Sequence, residues 1–409
     1  MATERKTPNF ISAYCDQYDN GFVPSKFYIW SAISTISAVL ERKVWLPWFS
    51  GNVYPSLYIF LVSGPAVGKS SAIRPGLKLI KTLNEEHGRH IRLLPNQLTD
   101  AKFLELMAHQ DYFMYSGKNY PHSSAYLVAS EAAATFKFSD EHGIVKSLTR
   151  LYDPDDFTKA LVSKKEVIKI INPNVNLLAG TTFYDINKFL DKEGILSGFA
   201  SRCTFVVHND IVERKCDWFD EEIHKASALY ICPNLVHDLH LISKMVGGFK
   251  VTDEVKAAWA QWWPDHDRQL QQSESETHRA LLGRKATALH KLTQILSAAE
   301  SDDRVIKYHH WNTALKLVDD VEKDLPRMIR QGKATDVSKP DSLKAAIMSA
   351  IVDDTKTYDK KRLLSYLILK GFNKSIITGS LDSLLTAGDF VRADENGILR
   401  FVGDPDLHT

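Results

Sequence analysis

The sequence predicts an α/β chain organised around a parallel sheet, and three observations carry that expectation. Apolar, β-rich runs recur at Leu57–Val62, Ala125–Ala129, Val175–Ala179 and Thr204–Val207, the pattern of strands buried on both faces. Stretches of helical periodicity separate these runs, which is the order of a parallel crossover fold. The first run leads straight into a glycine-containing loop and then a helix, the local arrangement of a phosphate-binding loop.

Composition sets the outer limits. The 409 residues carry 51 Lys plus Arg against 50 Asp plus Glu, with 44% hydrophobic and 25% charged residues. Disordered, collagen-like and disulfide-scaffold classes are excluded, and at roughly 100–200 residues per domain the length allows two to four domains. Cys15, Cys203, Cys216 and Cys232 show no metal-ligand spacing. No apolar run of about 18 residues occurs, and the opening MATERKTPNF lacks a signal-peptide core, so no membrane partner and a cytoplasmic location are expected. A net charge of +1 gives no global sign for nucleic-acid binding, so any such surface must be local.

Element by element, residues 9–18 and 25–42 carry apolar positions near helical period, and the α/β region follows over about 50–210. Pro75, inside the helix after the glycine-containing loop, predicts a bend or an early end. Helical segments are expected near 219–247, 252–272, 277–300 and 311–331, and the polar stretch 331–341 with Pro340 reads as a linker. Three short helical patterns (341–352, 359–370, 374–387) precede an extended hairpin, Phe390–Val391 and Leu399–Val402, around the turn dipeptide Asn396-Gly397. That is the winged-helix order. The expected division is an N-terminal helical segment (1–50), a P-loop ATPase core (51–215), a helical lid (216–332) and a winged-helix domain (341–409).

The loop reads Ser63-Gly64-Pro65-Ala66-Val67-Gly68-Lys69-Ser70, matching G-x-x-x-x-G-K-[ST] except at its first position, where Ser63 replaces glycine. Gly68 lets the backbone approach phosphates, and the loop amides with the helix N-terminus form an anion site. Residues Gly64 to Ser71 are therefore the expected ATP site, with Lys69 on the β- and γ-phosphates and Ser70 on Mg²⁺. Hydrolysis also needs a carboxylate at the end of a neighbouring strand, and Glu131 after Tyr126-Leu127-Val128-Ala129-Ser130 supplies one. Helix capping by Ser130-Glu131 is the competing use. Thr181 or Thr182, ending the next run, can bond the attacking water or the γ-phosphate, or cap a helix. Arg202 stands just before the last run, where an arginine at a subunit edge can stabilise a neighbour's phosphoryl transfer.

These elements, in this order, resemble the AAA+ ATPases, and most closely their helicase branch: the minichromosome-maintenance and superfamily-three types and phage-borne replicative-helicase-like proteins. WSAISTISAVLERKVWLP, YPSLYIFLVSGPAVGKSSAI, LTRLYD, NPNVNLLAGTT and GFASR look like blocks of the phage type. The resemblance implies an AAA+-like core with a helical lid, Glu131 as the hydrolytic acid, Thr181 as the sensor and Arg202 as the finger. It also implies Arg284 as a second sensor on the nucleotide. Ser63 and Ser130 depart from the common motifs.

Two nucleic-acid surfaces are expected. Thr158–Ile170 alternates around Ser163-Lys164-Lys165-Glu166, a β-hairpin with Lys164 and Lys165 near its tip, where the similar helicases place a pore loop. A second basic group, Lys356, Lys360, Lys361, Arg362, Lys370 and Lys374, lies in the winged-helix segment. Trp259, Trp262 and Trp263 read as lid core, and His309-His310 as structural. The expected function is an ATP-dependent DNA translocase or replicative helicase, using ATP and Mg²⁺. It would act as a homo-oligomeric ring, a hexamer in the helicase pattern, on single-stranded or forked DNA, with other replication proteins, in a bacterial host cell. The rivals are a non-unwinding ATPase, such as a replication initiator or helicase loader, and an ATP-binding assembly or defence scaffold.

Overall fold

A computed structural model describes residues 4–19, 21–49, 51–136, 143–152, 156–161, 166–189, 198–208, 230–273, 276–335, 347, 359–369, 377–378, 391–393 and 398–401. The chain divides into two compact units, Met1–Leu325 and Pro326–Thr409. The expected N-terminal segment and core, and the expected lid as far as Leu325, fall in the first unit.

In the first unit, helices α1 (Phe10–Tyr18) and α2 (Ser25–Leu40) precede a small sheet of β1 (Val44–Trp48) and β2 (Gly51–Val53), to which Gly247–Gly248 adds a parallel strand. Then come β3 (Tyr58–Ser63), α3 (Lys69–His87), β4 (Leu93–Leu94), α4 (Asp100–Met107), β5 (Asp111–Tyr115) and β6 (Lys118–Ala129). Short α5 (Ala132–Phe136) and α6 (Ile144–Leu151) lead to the antiparallel hairpin of β7 (Phe157–Leu161) and β8 (Glu166–Ile170). Strand β9 (Pro173–Thr181), α7 (Phe183–Phe189) and β10 (Cys203–His208) complete the α/β part. Further helices span Pro233–Ile242, Asp253–Gln272 and Glu276–Glu300, and a last one, Tyr308–Thr335, begins in this unit.

The main sheet runs β10-β3-β9-β6-β4, all parallel, with β5 antiparallel on β6. Among the five parallel strands, the first in the chain therefore sits between the fourth and the fifth. Right-handed crossovers leaving β3 and β9 in opposite directions put their helices on opposite faces, so a crevice opens at the carboxyl ends of these two strands. Side-chain alternation on β3 bears this out. Ile59 and Leu61 join the core with α1, α2 and α3, whereas Phe60 meets Phe136, Phe199 and Phe205 at ring-centroid distances of 5.9, 6.3 and 5.6 Å.

Helix α2 is apolar around most of its circumference and is accordingly interior, with Ile33, Ile36 and Leu40 fully buried. Its buried hydroxyls are all the more dependent on partners. Ser34 bonds the Tyr126 hydroxyl at 3.0 Å, Thr35 donates to the Ser31 carbonyl at 2.8 Å, and Ser37 donates to Asn176, whose Oδ1 also accepts the Leu57 amide at 2.9 Å. The 1–50 segment is thus stitched into the sheet. Helix α3 runs unbroken through Pro75 to His87, contrary to the expected shortening. Pro75 forfeits one backbone bond, but Gly76 beside it lets α3 press onto α2, since a Cβ there would stand 2.2 Å from the Thr35 hydroxyl.

The Trp259, Trp262 and Trp263 cluster is packing, as expected: Trp259 lies 4.8 Å from Trp48 and 5.4 Å from Trp311. His309 and His310 meet Glu300 Oε2 at 2.7 and 2.9 Å, and His310 Nδ1 accepts the Lys307 amide, so both nitrogens of His310 serve a joint between two helices. The last long helix continues to Thr335, into the stretch expected to be linker.

In the second unit, the helix Lys360–Leu369 is capped by Asp359, whose Oδ1 accepts the Arg362 amide at 2.7 Å. Val391–Ala393 and Leu399–Phe401 pair antiparallel, the expected hairpin. Lys360, Lys361 and Arg362 are exposed in the first helical turn, while Lys356, Lys370 and Lys374 lie outside the described residues.

Candidate functional site: a phosphate-loop cleft

The crevice at the carboxyl ends of β3, β6 and β9 is an open cleft of about 670 Å³. Pro65 to Ser71 form one wall, and Ser130, Glu131, Gly180, Thr181, Thr182 and Asp185 face it. Gly68 caps α3 with φ +86°, a left-handed conformation that glycine adopts freely, and its carbonyl accepts the amides of Ser71 and Ala72 at 2.9 and 3.1 Å. The first amides of the helix have no such intrahelical partner and, with the helix dipole, favour an anion at this point. Ala66 also holds a positive φ, +61°, which a side-chain-bearing residue adopts only under local constraint.

Lys69 is half-buried and bent back over its own loop. Its Nζ donates to the Gly64 carbonyl at 2.8 Å, the Ser63 hydroxyl at 3.0 Å and the Ser63 carbonyl at 3.2 Å. Ser63, the departure from the motif, thus supplies a side-chain acceptor that glycine would lack. Burial lowers the Lys69 pKa, while the charges of Asp185 and then Glu131 pull it upward. These uncharged carbonyl and hydroxyl acceptors are ones an anionic phosphate oxygen can replace with a stronger bond between opposite charges.

Glu131 is exposed in the cleft, and its carboxylate accepts no hydrogen bond among the described residues. The capping use has no support in that geometry. Thr181 and Thr182 separate cleanly. Thr182 Oγ1 accepts the Asp185 amide at 3.2 Å and donates to Asp185 Oδ2 at 2.7 Å, so Thr182 caps α7. Thr181 pairs with Val62 at the end of the phosphate-loop strand and lines the cleft. Gly180 allows this closeness: a Cβ would stand 2.6 Å from the Ser130 carbonyl oxygen and 3.3 Å from Lys69 Cβ.

Asp185 is the cleft residue that motif reading missed. It offers a second carboxylate where Ser130 leaves one wanting, and Thr182-x-x-Asp185 immediately after a buried strand was the available signal. An all-oxygen lining of Ser70, Glu131 and Asp185 beside a cationic lysine suits a hard divalent ion with a polyphosphate.

Arg202 and Arg284 are not brought to this cleft. Both line a second cavity with Tyr152, Cys203, Lys285 and Glu322. Arg202 precedes Cys203, which pairs with Tyr58 at the start of β3, so it lies at the opposite end of the sheet from Lys69, about 20 Å along a six-residue strand. Its Nη1 donates to the Gly198 carbonyl at 2.8 Å. Arg284, expected on the nucleotide, is carried by the helix Glu276–Glu300 to the Arg202 end. The β7–β8 hairpin is present, with Leu161 opposite Glu166, so Glu166 stands in the strand rather than at the tip, and Lys164 and Lys165 lie outside the described residues.

Six strands, five of them parallel, with flanking helices and this loop define a P-loop-like α/β core. No protein-family model matches the chain, and no curated protein matches it either. Among the described residues, no helix is long and apolar enough to cross a membrane.

Proposed function

We propose that this protein is an ATP-dependent DNA translocase, of the AAA+ replicative-helicase type, that works as a ring on single-stranded or forked DNA. The observation that carries the proposal is the convergence of Lys69, Ser70, Glu131 and Thr181 in one cleft at the carboxyl ends of adjacent strands. Lys69 would exchange its bonds to Ser63 and Gly64 for the β- and γ-phosphates. Glu131 would orient and deprotonate the attacking water, with the Thr181 hydroxyl holding it in line. Bound Mg²⁺ would neutralise phosphate charge, held by the Ser70 hydroxyl with Asp185 and Glu131 alongside.

Arg202 cannot serve the nucleotide of its own chain from the far end of β3, so the finger role requires a neighbouring subunit. Ser130 in place of a second strand-end acid favours one alternative, a nucleotide switch such as an initiator or loader. ATP turnover with and without single-stranded DNA, together with displacement of an annealed strand, tests both. DNA-stimulated turnover that falls about 10²- to 10⁴-fold in Glu131→Gln is the expected result. Turnover without strand displacement supports the switch, and undiminished turnover in Glu131→Gln overturns the assignment of the acid.

A further inference from the structure

A third cavity, of about 190 Å³, lies between the β1–β2 sheet and the β5–β6 hairpin, lined by Arg42, Trp45, Asn52, Tyr54, Phe113, Tyr115 and Tyr120. That is several times the roughly 30 Å³ share of one water molecule. Its walls are flat rings. Trp45 meets Tyr115 edge-on at 5.0 Å, Phe113 stacks on Tyr120 at 5.6 Å, and the Arg42 guanidinium lies 4.0 Å over the Tyr54 ring. Period-two alternation turns Phe113 and Tyr115 to the same face of β5, leaving Tyr112 and Met114 on the other, each 63% exposed. On the cavity side, Tyr115 and Tyr120 keep 36% and 40% of their surface exposed, so these rings are open to an occupant.

Charge and polar edges select the occupant. Arg42 is the charged residue of the cavity lining, and its Nη1 donates to the Pro173 carbonyl at 2.9 Å; nearby, Lys43 pairs with Glu41 at 2.6 Å and Arg92 with Asp111. The Asn52 side chain, exposed at the rim, makes no hydrogen bond among the described residues. Aromatic faces with an amide edge and a guanidinium suit an unstacked base and its phosphate, whereas a proline-rich peptide would need the rings without the cation.

We propose that this aromatic cleft binds single-stranded nucleic acid, seating a base against Tyr115 and Tyr120 and drawing the flanking phosphate toward Arg42. The site does not depend on the ATPase reading, although one strand joins the two. Strand β6 carries Tyr120 near one end and runs to Ala129, just before Glu131, about 30 Å away. A strand seated at Tyr120 would therefore bear on the element that presents the hydrolytic acid.

The test is fluorescence anisotropy of a labelled short oligothymidylate with full-length protein and no nucleotide. Tyr115→Ala and Tyr120→Ala should each weaken binding roughly five- to a hundredfold, the range for losing one base–aromatic stack, and Tyr115→Phe should bind like the unaltered protein. An abasic deoxyribose-phosphate chain should bind weakly to all of them. Fluorescent ATP analogue binding in the phosphate-loop cleft should stay unchanged, which separates failure here from failure of the ATPase reading. Should the alanine variants not fold, quenching of Trp45 by the oligonucleotide reads the same contact in the unaltered protein, with Trp45→Phe as its reference. Alanine variants that bind normally, an abasic chain that binds equally well, no Trp45 response, or capture of a proline-rich peptide in preference to the oligonucleotide would overturn the proposal.

Discussion

Lys69, held by three oxygens of its own loop, shows how far single residues could be read in advance. The motif named it together with Gly68, Ser70 and the strand-end Glu131, because phosphate chemistry demands those residue types at that spacing. Lys69→Ala should weaken binding of a fluorescent ATP analogue at least ten- to a hundredfold, the cost of its charge-assisted bonds. Asp185 was not named, since a carboxylate reached through a helix start has no fixed spacing from the loop. Asp185→Asn keeps an acceptor for the Thr182 hydroxyl, so thermal stability should hold. The gain in nucleotide affinity on adding Mg²⁺ should shrink about tenfold, read by titration with and without the ion. An unchanged gain would leave Asp185 as part of the cap alone.

At the scale of elements, strands buried on both faces were legible as continuous apolar runs, and all four of them are strands of the main sheet. Strand β4 was not legible, because two residues carry no period. Strand β5 escaped for the opposite reason: Tyr112 and Met114 are apolar yet exposed, so its pattern does not alternate with burial. The early end that Pro75 offered as one of two expectations does not occur, since α3 continues to His87 while packing tightly against α2. The contact between β9 and β6 can be tested through Gly180. Gly180→Ala meets the Ser130 backbone and should destabilise the protein by about 1–3 kcal/mol. Gly64→Ala meets nothing within 4 Å, so its melting temperature should match the unaltered protein. Equal melting temperatures for both variants would contradict the close approach.

For the whole molecule, near-neutral charge had hidden where ionisable groups sit. His290 packs 3.6 Å from Trp48 and 4.6 Å from Trp259, and burial lowers its pKa to about 3. In the unfolded chain it titrates near 6.5, so below that pH the unfolded state binds a proton that the folded state refuses, and stability falls with acidification. Between pH 7 and pH 5 the loss from this residue is about 2 kcal/mol. Thermal unfolding at both pH values should show His290→Phe losing less than the unaltered protein, and identical pH dependence would refute the assignment. The sequence by itself determined the α/β class, the phosphate loop and most helix positions, because those rest on local chemistry and periodicity. Only the tertiary structure decided that residues 1–325 form one unit, that Asp185 joins the cleft, and that Arg202 and Arg284 share the far end of the sheet. Each of those depends on which strands lie side by side, and strand order is fixed by crossovers and packing between segments remote in the chain.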